Sequence, residues 1–125
     1  MSETPQEPKP RVETEEQAVQ RIEAAFWRRY NASPDMQKKL QGKDRLILLE
    51  IPDGKSYSFH VLDGRMSAVK EGRADKPDVV ITVSRADLFA MFNGELKPLQ
   101  AYMTKRVKVK ASFSDLLFAK SLLGW

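Results

Sequence analysis

Few side chains in this sequence could do covalent or acid–base chemistry. It has no cysteine and one histidine, His60, so it offers no thiolate nucleophile, no thiolate metal ligand and no histidine pair for a metal. His60 alternates with Phe59 and Val61 in a run of strand character, which puts it on the face opposite those apolar residues. A packed or solvent-facing imidazole accounts for it. The acids Glu15 and Glu16 fall in the first turn of a helix, where they complement the macrodipole without any catalytic role. No glycine-rich phosphate loop, G-x-S-x-G elbow or H-E-x-x-H pair occurs. The expectation is a binding protein that is not an enzyme, with no catalytic residue, metal or cofactor.

The charged and apolar runs say what it could bind. Arg106, Lys108 and Lys110 alternate with Val107, Val109 and Ala111. Charges of this kind protect a sheet edge from pairing with other chains, and no aromatic interleaves with them to stack on bases. Nucleic acid is therefore not an expected partner. Net charge is +4, and residues 81–125 carry seven basic groups against three acidic ones. A local excess of that size suits an acidic small ligand or an anionic membrane surface as well.

The final run is apolar all round when placed at about 100° per residue: Phe113, Leu116, Leu117, Phe118, Ala119, Leu122 and Leu123. Such a helix either leaves leucines exposed or borders a second apolar surface: a ligand cavity, a partner or a membrane. Lys120 falls inside this apolar arc. Its stem covers apolar surface while the ammonium reaches water, or it stands at a pocket mouth and pairs with the acidic head of a ligand.

The elements that position these residues read clearly enough for a single domain of 125 residues. Residues 1–12, with Pro5, Pro8 and Pro10, read as a disordered tail, and residues 13–125 as the folded domain. Thr14 and Gln17 form a capping box, and Val19, Ile22, Phe26 and Tyr30 recur at helical spacing. Ser33-Pro34 starts a short helix that Gly42 ends. Strands follow over 45–51, 56–62 and 65–70, with Asp63-Gly64 as a hairpin turn between the last two. A fourth strand covers 78–83. Ser84 with Asp87 caps a helix carrying Leu88, Phe89 and Phe92, Pro98 opens another turn of helix, and a fifth strand covers 105–111. Segregated strands and helices predict an α+β fold, a five-stranded, largely antiparallel sheet with helices on one face. The start resembles no signal peptide, and no run approaches the ~18 apolar residues of a spanning helix. A soluble, cytoplasmic protein is the expectation.

The stretch PDVVITVSRADLFAMFNGELKPLQAYMTKRVKVKASFSDLLFAKSLL, with SPDMQKKLQGKDRLILLEIPDG upstream, resembles the sterol carrier protein-2 (sterol-binding) family. The likeness covers about residues 15–123. It departs at Lys105 and Ala111, where the family usually has glycine. The resemblance implies an apolar tunnel between sheet and helices that holds a fatty acid, acyl-CoA or sterol-like molecule, and a role in binding and carrying it. It also implies ligand-facing positions at Phe89, Phe92, Met103, Val107, Val109, Phe113, Leu116 and Leu117. Transient membrane-surface contact and a protein partner stay open. The rival reading is an accessory module that docks an enzyme, or self-associates, through its apolar last helix.

Overall fold

A computed structural model of the chain describes residues 11–116. Its elements run α1 (Glu15–Ala32), α2 (Pro34–Leu40), β1 (Asp44–Glu50), β2 (Ser56–Leu62), β3 (Arg65–Met66), β4 (Lys70–Glu71), β5 (Val79–Val83), α3 (Arg85–Phe92), α4 (Pro98–Met103) and β6 (Val107–Lys110). The backbone is helical again over 113–116. The sheet order is β3-β2-β1-β5-β6, with β4 also on β2. All pairs are antiparallel except β1 with β5.

Alternation decides which face is covered. Ile47, Leu49, Tyr57, Phe59, Val61, Val79, Ile81, Val83 and Val107 share one core with Ala18 and Phe26 of α1, Met36 and Leu40 of α2, Leu88 of α3 and Ala101 of α4. His60, out of phase with them, is exposed. The capping box of α1 forms: the Gln17 amide donates to Thr14 Oγ1 at 3.2 Å, and the Thr14 amide to Gln17 Oε1 at 3.1 Å. The Ser33 and Ser84 hydroxyls accept from the Met36 and Asp87 amides and so cap α2 and α3.

Three expectations are corrected. The third strand breaks into β3 and β4. Val61 pairs with Met66 but Ser58 with Lys70, so the outer strand carries one extra residue, a bulge. The His60 amide donates to the Ser67 hydroxyl, and the Val69 amide turns away to Glu23 of α1. The fifth strand begins at Val107, because Lys105 and Arg106 finish α4. Lys105 is left-handed (φ 64°), its amide donates to the Tyr102 carbonyl, and that of Arg106 to the Ala101 carbonyl. α3 ends with the same two bonds around Gly94 (φ 75°), the usual helix-terminating motif. Lysine thus adopts the conformation for which glycine is suited. Finally, the expected tail reaches too far. Val12 is 2% exposed, and its amide and carbonyl are both bonded by the Asn93 side chain, at 2.7 and 3.0 Å. One apolar residue alone leaves no periodicity to read.

The start of α1 is pinned by Glu15, which is 9% exposed. Its carboxylate accepts from the Lys55 amide (3.1 Å), the Tyr57 hydroxyl (2.9 Å) and Arg85 (2.8 Å to Nη2). A side chain at Gly54 would strike the same carboxylate at 2.2 Å. Burial alone would raise the Glu15 pKa, but the Lys55 amide, Tyr57 and Arg85 outweigh it and hold the carboxyl below its ordinary 4.5. Burial, with Glu15 alongside, pushes the Tyr57 hydroxyl up to about 12.

Two outcomes follow. Lys105→Gly should stabilise the chain by about 1 kcal/mol in urea unfolding, because the left-handed penalty is relieved; destabilisation would show that the lysine side chain holds the turn. Glu15→Gln should cost about 2–3 kcal/mol at neutral pH, the half-exposed Arg85 limiting the ion pair's share. A depressed carboxyl stabilises the fold above its unfolded pKa and loses that effect as pH falls through its folded value. The difference between parent and variant should therefore shrink as pH drops below 4.5, and a difference independent of pH would contradict the assignment.

Candidate functional site

α1 lies over the sheet with Ile22, Ala25 and Phe26 turned inward, and Arg21, Arg28 and Arg29 flank them on the same side of the helix. Their spacing at one, four and five, and seven and eight positions makes a single helical face. Beneath it the sheet contributes Leu49 of β1, Phe59 of β2, Met66 of β3, Ile81 and Val83 of β5, and Val107 of β6. Leu88, Met91 and Phe92 of α3, with Pro98 of α4, close the side. Together they line a partly open, mainly apolar cavity of about 310 Å³.

Among the described residues three guanidiniums border the cavity and no carboxylate does. Burial against the apolar wall, and then the charge of Arg28, lower the Arg29 pKa from its ordinary value. No group of three or more potential metal-ligating side chains occurs among the described residues. No described helix is long and apolar enough to cross a membrane.

The expected ligand-facing residues divide. Phe92 and Val107 border the cavity. Phe89, on the same helix, turns to a polar groove with Glu13, Glu16, Lys55 and Arg85. Val109 is half-buried against the core, and Leu116 is half-buried. Met103 and Phe113 are exposed, at 72% and 69%. Leu117 and Lys120 lie outside the described residues. Asp115 pairs with Arg45 at the start of β1, so this acid has a partner on the sheet.

The expected ligand-facing residues lie on α3, just before β6, on β6 and on the last helix, and none lies on α1. The arginines were the available signal: Arg21, Arg28 and Arg29 share the helix face of Ile22 and Phe26, where a plain core-facing stripe has no charge.

The SCP-2 sterol transfer family matches residues 20–116. Mouse stomatin-like protein 1 is 37% identical over 75 residues, covering 58% of this chain and 19% of that protein. The chain thus spans about a fifth of the length of that curated relative. The solution structure of palmitated SCP2L2 from Aedes aegypti superposes with a TM-score of 0.62 at 19% identity, covering 87% of this chain and 92% of that one. A crystal structure of sterol carrier protein 2 gives 0.57 at 22% identity, over 86% and 92%. These likenesses establish the fold. With the sheet order, the helix-covered face and the match over residues 20–116 in agreement, the chain belongs to the SCP-2 sterol transfer family.

Proposed function

We propose that this domain binds and carries a lipid non-enzymatically, as an acyl chain in the cavity under α1 with an anionic head at the arginines. The observation that carries this reading is the pairing of a partly open apolar cavity with a rim whose described charges are all guanidinium. Apolar walls bind a chain of any head group, whereas charge-assisted bonds to guanidinium favour a carboxylate or phosphate. The palmitated neighbour supports an acyl ligand, and the family match supports lipid binding in general. Phe92 and Val107 serve as chain contacts. Lys120, the one basic residue of the apolar run from Phe113 to Leu123, is a further partner for the head. The work of such a carrier is in the cytoplasm, with passing contact at membrane surfaces. The docking-module alternative rested on the apolar run after Phe113, most of which lies outside the described residues.

Organic extraction of the purified chain followed by mass spectrometry should recover acyl lipid; protein repeatedly free of lipid and refusing added fatty acid would overturn the reading. Arg29→Met keeps a long apolar stem in the wall and removes the charge. Fatty-acid affinity should fall about tenfold in calorimetric titration, the size of one charge-assisted bond, while a fatty alcohol of equal chain length binds unchanged. Equal binding of both ligands by parent and variant would leave Arg29 as wall only.

A further inference from the structure

The cavity is short for a long lipid. At about 310 Å³ it stands at the floor of the range that encloses a drug-sized ligand, and a long acyl chain outruns it. Beyond Met66 a second, open groove of about 940 Å³ is bordered by Trp27, Tyr30, Leu62 and the turn at Asp63 and Gly64. Among the described residues Met66 alone borders both spaces.

The rest of the partition is fixed. Phe26 borders the cavity, is 3% exposed, and stacks on Tyr30 of the groove with ring centroids 5.9 Å apart. Tyr30 in turn is held against Gly64, where a Cβ would lie 2.5 Å from the tyrosine hydroxyl. Met66 is different. It is half-buried, ends a two-residue strand just before the bulge, and carries an unbranched side chain with three rotatable bonds. Past it, Trp27 at 39% and Leu62 at 51% exposure offer apolar surface to whatever emerges.

We propose that Met66 determines acyl-chain length: a short chain ends behind it, whereas the methyl end of a long chain displaces its side chain and continues beside Trp27 and Leu62. This rests on the lipid reading of the cavity. It assigns the groove to the far end of the same ligand, because the two spaces meet at that one side chain.

The two tryptophans are Trp27 and Trp125, so a Trp125→Phe chain reports from Trp27 alone. Stearate bearing a nitroxide near its methyl end should quench this emission more strongly than stearate labelled near its carboxylate. Met66→Trp should then lower stearate affinity about tenfold, the loss of roughly two buried methylenes, and change decanoate affinity by less than about twofold. Bound methyl-end probe that leaves Trp27 unquenched, or stronger quenching by the carboxyl-end probe, overturns the inference and leaves the lipid reading intact. So does a Met66→Trp protein that weakens both acids equally. Failure of every chain length to bind the unaltered protein overturns the lipid reading itself. Should Met66→Trp not fold, the quenching comparison decides alone.

Discussion

The Glu15 carboxylate, nearly withdrawn from water, is bonded at once to the turn after β1, to Tyr57 on β2 and to Arg85 at the start of α3. These are the parts that must be held in register for a space to exist between helix and sheet. A buried charge with too few partners is costly, and a fully bonded one fixes its neighbours in a single arrangement. Gly54 permits the contact, since any side chain there would occupy the carboxylate's position. From this anchor α1 runs across the apolar face, and Ala18 and Phe26 bury themselves against the sheet.

A cavity under the helix is not free. Interiors are packed to crystal-like density, and apolar side chains left facing open space lose the contacts that packing supplies. The walls around it, Leu49, Phe59, Ile81, Val83 and Val107, have the residue types that would ordinarily fill such space. A ligand that occupies it recovers the lost contacts and stabilises the folded state by mass action. Stability and ligand capacity are therefore properties of the same set of side chains, and on the proposed reading the arginines at the edge add selectivity for an anionic head.

Much of the fold was legible because it is local. The alternation of Tyr57, Phe59 and Val61 gave the buried face of β2, and the pairs Thr14–Gln17 and Ser84–Asp87 gave the helix starts. The features that escaped depend on distant residues. The bulge between β3 and β4 is made by Ser67 and by Glu23 of α1, neither of which marks a strand break in sequence. Val12 is held by Asn93, 81 positions away. Lys105 takes a left-handed conformation that its residue type does not advertise. At the site, Phe92 and Val107 came from the family resemblance and border the cavity, whereas nothing in that resemblance pointed to α1, whose arginines share the helix face of Ile22 and Phe26. Phe89 was misleading for a related reason: one aromatic position along α3 separates the cavity from the polar groove at Glu15.

The most direct test of the cavity as a lipid site is a methyl NMR titration of the whole chain with a fatty acid. Leu49, Ile81 and Val83 border the cavity, whereas Leu48, next in β1, points to the opposite face of the sheet. The account predicts saturable shifts in the first three methyl sets at one ligand per chain, with Leu48 little moved. Shifts concentrated on Leu48, or a spectrum unmoved while the fatty acid is in excess, would contradict it.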